Sequence, residues 1–107
     1  MKQNLIQNIW AVGRNYLDHA AEMNAKPPAE PMIFLKSGNC INTSSKIQLP
    51  EWSQDVQHEI ELAFWVDENL GLSHLTLALD LTARDVQNKA KSTGTPWTMA
   101  KSFIGAC

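Results

Sequence analysis

Residues 56–66 have a sequence pattern with a period of two. Every second position, from Val56 to Val66, is apolar except for His58, and the positions between them include Glu59 and Glu61. A period of two is that of a β-strand, whose successive side chains point to opposite faces. The pattern therefore predicts a strand with an apolar face toward the core, where His58 would be a core histidine, and an acidic face on the other side.

Shorter patterns predict the other elements. Apolar runs bounded by turn-forming residues predict strands at 6–12, 32–36, 46–49 and 75–81, and PWTMAKSFIGAC predicts a loop leading into a final strand. Helix-forming residues predict one helix at 15–24 and a second that Thr82 caps and that ends near Ser92 or Gly94. The proline-rich segment NAKPPAEP predicts an extended connector after the first helix.

The composition excludes several classes of function. With 107 residues, the chain has the size of one domain at most. Its formal net charge is −2 and it lacks a Lys/Arg cluster, so no nucleic-acid partner is expected. Its apolar runs are far shorter than the roughly 20 residues that span a membrane. The first residues do not resemble a secretion signal, which predicts a cytoplasmic location. Cys40 and Cys107 are expected to be reduced thiols.

Three acidic residues could form a metal site. Glu59 and Glu61 are same-face neighbours about 6.6 Å apart along a strand, and Asp80 ends another predicted strand that could pair alongside. Three hard oxygen ligands suit magnesium, manganese or calcium better than zinc. A solvated strand face has the same spacing, so this pattern leaves both interpretations open.

Other polar residues could take part in chemistry. His19 and Glu22 are three apart in a predicted helix, so they share a face and could act as a base and its orienting acid, although such pairs also arise by chance. Lys101 could bind a substrate carboxylate, carry a proton, or be a surface charge. Arg14 could pair with a substrate carboxylate or with the acidic face, and Arg84 could cap or brace its own helix.

Five sequence blocks closely resemble the fumarylacetoacetate hydrolase family in order and spacing. They are VGRNYLDHAAEM, PMIFLK, HEIELAF, LDLTARDVQ and GTPWTMAKSF. The H-x-x-E pair, TARDVQ and PWTMAKSF are most similar to the acylpyruvase and oxaloacetate decarboxylase branch. The resemblance implies that Glu59, Glu61 and Asp80 bind a divalent metal, usually Mg²⁺ or Mn²⁺.

The resemblance also implies roles for other residues. The catalytic set would comprise His19 and Glu22, on a lid that orders over ligand, together with Lys101. Substrate contacts would come from Gln87 and Lys101, joined by Arg14 and Arg84. Relatives have a longer catalytic domain and are commonly homodimers. Residues 1–107 are therefore expected to be the N-terminal part of a single catalytic domain, with an α+β fold: an incomplete mixed β roll or sandwich with short peripheral helices.

The activity implied is metal-dependent cleavage of a carbon–carbon bond in acylpyruvates, such as acetylpyruvate or fumarylpyruvate. A 2-oxo acid chelates the cation, which stabilises the enolate formed as the bond breaks. His19, oriented by Glu22, would activate water, and Lys101 would hold or protonate the substrate. Decarboxylation of oxaloacetate gives the same enolate. The alternatives are an isomerase of unsaturated 2-oxo diacids or an oxaloacetate tautomerase and, outside enzymes, a cation-binding half-domain without activity.

Overall fold

The computed structural model describes residues 6–13 and 29–107, so the predicted helix at 15–24 and the start of its connector lie outside the described residues. Within those ranges the chain forms two antiparallel sheets, each of two strands, followed by two helices. The elements are β1 (Asn8–Gly13), β2 (Met32–Ser37), a one-turn 3-10 helix (Gly38–Cys40), β3 (Val56–Val66), β4 (Leu72–Ala83), α1 (Arg84–Thr93) and α2 (Thr98–Lys101). None of the helices in the described part is long and apolar enough to cross a membrane.

The β3–β4 pair is the largest element and carries the alternating sequence. A turn at residues 67–71 joins its strands. The Asp67 carboxylate stabilises the turn by accepting hydrogen bonds from the backbone N–H groups of Asn69 and Gly71. The register places Glu59 opposite Asp80 and Leu62 opposite Leu77. Strand β3 is thus confirmed with its predicted bounds, and the strand predicted at 75–81 is confirmed as part of the longer β4.

Three local predictions are wrong. Residues 46–49 form no strand; Ile47 and Leu49 are exposed, and no ladder in the described residues pairs with them. Thr82 does not cap α1, because it is a fully buried residue of β4 and Ala83 is the cap position, with no side-chain capping bond. The segment after residue 101 forms turns rather than a strand.

Helix α1 ends where the sequence predicted. Gly94 follows it with φ +69°, a left-handed conformation that glycine adopts without steric cost, and the Gly94 N–H bonds to the carbonyl of Ala90. The backbone then turns at Thr95–Trp97 into the single-turn helix α2. This short return brings Lys101 back against strand β4.

A small core lies where the end of β4 meets the C-terminal turns. It comprises Cys40, Leu81, Ala83, Phe103 and Ala106, with Ile9, Val56, Leu79, Val86 and Cys107 packed against it. Backbone bonds support this contact: the Leu81 N–H bonds to the carbonyl of Ala106, and the Cys107 N–H to that of Cys40. The core therefore fixes the C-terminal segment against the strand that carries Asp80.

The apolar face of β3 is exposed and its acidic face is partly buried, which is the reverse of the prediction. Ile60, Leu62 and Phe64 are 59%, 64% and 49% exposed, and His58 is also exposed instead of lying in a core. Glu59 and Glu61 are partly buried. The reason is packing: basic side chains from β2, α1 and α2 reach the acidic groups, while the described part of the chain leaves the apolar face uncovered.

Candidate metal and substrate site

Three carboxylates converge on the acidic face of the β3–β4 pair. Glu59 and Asp80 are directly opposite in the antiparallel register, and Glu61 is the next residue on the same face of β3. Side chains that are opposite or two apart in a strand pair lie within reach of each other. One ligand oxygen from each residue lies within 4.8 Å of the others. The strand register thus brings together the three acids that the sequence singled out.

Two buried lysines bind the Asp80 carboxylate. Lys36 Nζ donates to Asp80 Oδ1 at 2.7 Å and to the carbonyl of Leu81 at 3.2 Å. Lys101 Nζ donates to Asp80 Oδ2 at 2.9 Å and to Thr82 Oγ1 at 2.6 Å. Each lysine is at most 3% exposed, and buried charges are tolerated only when they are paired and hydrogen-bonded. Both oxygens of Asp80 are consequently fixed in orientation.

Arg84 binds the carboxylate of Glu59, as the two lysines bind that of Asp80. Its guanidinium forms an ion pair with Glu59 and donates to Gln57 Oε1 at 3.1 Å and to Gln87 Oε1 at 2.7 Å. Gln87 is 2% exposed, so this hydrogen bond satisfies a buried amide oxygen. Arg84 is the first residue of α1, and its guanidinium therefore links the helix to the strand that carries two of the acids.

The donor set fits a hard divalent cation. Among the residues that the structure describes, it consists of carboxylate oxygens alone, which magnesium and manganese prefer, with no thiol or imidazole in the group. A carboxylate has about four lone-pair sites, so the contacts of Lys36, Lys101 and Arg84 leave acceptor capacity on Asp80 and Glu59. These three basic groups also offset the mutual repulsion of the three acids.

A cleft opens beside these carboxylates. Its walls come from β1, β2, α1 and α2 as well as the acidic face. The lining residues are Val12, Gly13, Met32, Phe34, Glu59, Asp80, Arg84, Gln87, Lys91, Trp97 and Lys101. Five of the lining side chains are charged and one is an amide, so the cleft presents both carboxylates and cations to a small polar ligand.

The structure brings together six of the predicted site residues. Glu59, Glu61 and Asp80 form the acidic group, and Arg84, Gln87 and Lys101 surround it. The other three, Arg14, His19 and Glu22, lie outside the described residues.

Lys36 is the residue that the sequence analysis missed. Its signal is the period of two in β2, where Met32, Phe34 and Lys36 share the face turned inward and Ile33 and Leu35 are exposed. A lysine in phase with inward-facing residues needs a buried anionic partner. That partner is Asp80, 44 positions later in the chain.

The two cysteines are free thiols, as expected. Burial raises the pKa of the Cys40 thiol to about 11, although the neighbouring Lys36 ammonium acts in the opposite direction. Burial also raises the pKa of Cys107. Both thiols are therefore protonated at neutral pH, and neither is an activated nucleophile.

Comparison with known proteins finds the same family that the five sequence blocks resemble. The family pattern described as fumarylacetoacetate (FAA) hydrolase C-terminal matches residues 8–107. The mitochondrial oxaloacetate tautomerase of Bos taurus is 40% identical over 94% of this chain and 51% of its own. The chain thus spans about half the length of the curated relatives it matches.

Solved structures share the fold. One from Oleispira antarctica superposes with a TM-score of 0.87 at 36% identity, covering 95% of this chain and 50% of that one. The fumarylpyruvate hydrolase of Pseudomonas aeruginosa, solved with Mn²⁺ and pyruvate, superposes with a TM-score of 0.83 at 26% identity over 94% and 50%. The α+β architecture with short peripheral helices is confirmed, and this chain, which spans about half the length of these solved chains, belongs to the fumarylacetoacetate hydrolase family.

Proposed function

We propose that this chain supplies the metal-binding and part of the substrate-binding groups of an enzyme that acts on small 2-oxo acids. The observation that carries the proposal is the convergence of Glu59, Glu61 and Asp80 within 4.8 Å, at the edge of a cleft lined by Lys101 and Arg84. Residues 1–107 would be the N-terminal part of a single catalytic domain. The remainder of that domain would cover the apolar face of β3 and β4, since the relatives are about twice as long.

Glu59, Glu61 and Asp80 would hold Mg²⁺ or Mn²⁺. Bound there, the cation would supply positive charge next to the carboxylate and 2-oxo oxygen of a substrate, where negative charge develops during reaction. The presence of Mn²⁺ with pyruvate in the relative from P. aeruginosa supports a divalent metal and a 2-oxo acid ligand.

For an acylpyruvate, His19 would take a proton from water, which attacks the carbonyl distal to the carboxylate, while Glu22 orients the imidazole. The carbon–carbon bond then breaks, the acyl group leaves as a carboxylic acid, and pyruvate leaves in its enol form. Lys101 would hold the substrate carboxylate or return the proton. Gln87, Arg84 and Arg14 would fix the substrate in the cleft.

A second candidate is tautomerisation of oxaloacetate, and a specific finding favours it. The relatives named oxaloacetate tautomerase are 38–40% identical to this chain, whereas the fumarylpyruvate hydrolase is 26% identical. Tautomerisation moves one proton between carbon 3 and the 2-oxo oxygen and needs no attacking water. Decarboxylation of oxaloacetate would use the same charge stabilisation. A cation-binding half-domain without activity would have no need of the His19–Glu22 pair.

The test is an assay of the complete enzyme on acetylpyruvate, fumarylpyruvate and oxaloacetate, with Mg²⁺ and with a chelator. His19→Ala should lower acylpyruvate hydrolysis by about 10²-fold or more, the usual contribution of a general base. Metal affinity, measured by calorimetry, should stay unchanged. An unchanged hydrolysis rate would remove the His19–Glu22 pair from the mechanism. Oxaloacetate conversion that survives in the variant without release of carbon dioxide would identify the tautomerase reaction.

A homodimer and a cytoplasmic location, both expected from the sequence, stay predictions. The relatives named oxaloacetate tautomerase carry a mitochondrial designation, which applies to those proteins. Sedimentation of the complete enzyme would test the first prediction, and fractionation of the producing cell the second.

A further inference from the structure

We propose that Lys36 is a positioning residue for the divalent cation: it fixes the orientation of the Asp80 carboxylate, which would bind the ion. This inference rests on the proposed function. Lys36 Nζ donates to Asp80 Oδ1 at 2.7 Å and to the carbonyl of Leu81 at 3.2 Å. Lys36 is 1% exposed and Asp80 is 6% exposed, so water does not compete for these hydrogen bonds.

Lys36 and Lys101 reach Asp80 from different surroundings. Met32, Phe34 and Lys36 alternate along the inward face of β2. The first two line the cleft, as Lys101 does, whereas Lys36 is not among the described residues that line it. Because an ammonium group only donates hydrogen bonds, it is not a ligand for a metal ion. Lys36 can therefore orient a metal ligand only through its contact with Asp80.

A hydroxyl bridge fixes the two lysines relative to each other. Ser102 Oγ accepts a hydrogen bond from the backbone N–H of Ser37 at 3.1 Å and donates one to the carbonyl of Leu35 at 3.2 Å. Leu35 and Ser37 flank Lys36 in β2, and Ser102 directly follows Lys101. The bridge thus joins the backbone beside one lysine to the backbone beside the other, and the two ammonium groups meet the carboxylate from fixed positions.

Charge and orientation predict opposite effects of removing Lys36. Loss of its positive charge would strengthen the attraction of the acids for a cation. Loss of its hydrogen bond would leave a buried oxygen of Asp80 without that donor, which favours rotation of the carboxylate toward Lys101. Hydrogen-bond partners of metal-binding carboxylates typically contribute about 10-fold to 100-fold to metal affinity. We expect the effect of orientation to prevail.

The experiment compares Lys36→Met, Ser102→Ala and the control Lys89→Met with wild type in the complete enzyme, by calorimetric titration with Mn²⁺. Lys36→Met should weaken Mn²⁺ binding by about 10-fold to 100-fold. Ser102→Ala changes no charge and should weaken it by about twofold to tenfold, as expected for the loss of ordinary hydrogen bonds. Lys89 is an exposed lysine of α1, so Lys89→Met makes the same change in charge at the surface and should bind Mn²⁺ as wild type does.

Electron paramagnetic resonance of the bound Mn²⁺ provides a second readout, because the spectrum depends on the arrangement of the ligands around the ion. At saturating Mn²⁺, Lys36→Met should give a spectrum different from that of wild type, and Lys89→Met should give the same one. A purely structural role of Lys36 would lower the Tm of the metal-free enzyme and leave both the Mn²⁺ affinity and the spectrum of the folded protein unchanged.

The outcomes separate the inference from the function on which it rests. Equal or tighter Mn²⁺ binding by folded Lys36→Met would overturn the positioning role and leave the metal site intact, since charge alone predicts that result. If Lys36→Met does not fold, an unchanged Mn²⁺ affinity in Ser102→Ala would overturn the inference in the same way. Failure of the wild-type enzyme to bind Mn²⁺ or Mg²⁺ would overturn the proposed metal site together with the inference.

Discussion

Asp80 is held by two lysines that come from opposite sides of the sequence, Lys36 before it and Lys101 after it. Such contacts are costly to break: removing one partner of a buried ion pair typically costs about 3–5 kcal/mol, because the other charge stays buried. The carboxylate is therefore both an anchor that joins β2, β4 and α2 and a ligand candidate. Its two roles use different lone pairs of the same oxygens.

Glu61→Gln tests metal binding at the residue scale. The substitution keeps the size of the side chain and removes one of the three negative charges, so we expect the affinity for Mn²⁺ or Mg²⁺ to fall by about tenfold or more. Titration calorimetry on the complete enzyme measures this. Glu68→Gln, which makes the same change on the exposed turn between β3 and β4, is the matched control and should bind normally. Equal affinities in the two variants would argue against ligation by Glu61.

The sequence was sufficient to find the three acids and insufficient to find Lys36, which binds one of them. A period of two places Glu59 and Glu61 on one face whatever the rest of the chain does, and Asp80 ends the next strong strand pattern. Lys36 meets Asp80 only because two separate sheets pack together. No local spacing encodes that contact, so it is visible only in the fold.

At the scale of elements, the predicted strands and helices are correct where the residues of the element themselves contain a clear pattern. Strands β3 and β4 have a long alternation, and α1 has helix-forming residues closed by Gly94. The failures are short segments whose state depends on what they contact. Residues 46–49 have an apolar alternation but no partner strand among the described residues. Thr82 lies within β4, where its hydroxyl accepts a hydrogen bond from Lys101, and it does not cap the helix.

Asp85 lies in the first turn of α1, and its contacts predict that the stability of the fold depends on pH. The hydroxyl of Ser53 and then the backbone N–H of Gln54 donate to its carboxylate, which lowers the pKa of Asp85 below its usual value. A lowered pKa means that this stabilisation is present above about pH 4 and is lost as pH falls through the folded-state pKa.

Asp85→Asn should therefore lower the Tm of the complete enzyme at pH 7, and the difference from wild type should close as the pH is lowered below about 4. Thermal unfolding followed by circular dichroism across that pH range measures the effect. Glu51→Gln, an exposed carboxylate on the turn before Ser53, serves as the control and should show no such closure. A difference that persists unchanged at low pH would show that the charge of Asp85 contributes nothing.

At the scale of the whole molecule, the apolar face of β3 and β4 that residues 6–13 and 29–107 leave exposed determines how the chain is expected to behave by itself. Its exposed apolar residues on β3 and β4 are Ile60, Leu62, Phe64, Val66, Leu72, Leu75 and Leu77. Patches of this kind are interfaces or aggregation sites in ordinary proteins. The sequence predicted a core on this side because it showed an apolar face, and it contains no information on which chain segment covers that face.

Residues 1–107 produced alone should therefore self-associate and bind the dye ANS. Analytical ultracentrifugation at micromolar concentration should show species larger than a monomer. The double variant Leu62→Lys, Leu77→Glu replaces a directly opposed pair of exposed leucines by opposite charges and should shift the distribution toward monomer. Wild-type residues 1–107 that sediment as a monomer and do not bind the dye would contradict this prediction.

The pairing of β3 with β4 has one more consequence. A slip of one position along either strand would turn that strand's polar side chains to the opposite surface, so Asp80 could no longer stand beside Glu59 and Glu61. A slip of this kind therefore separates the three oxygens. An ion bound by all three would stabilise the observed alignment over the slipped one, because it would bind only where the three acids share a face.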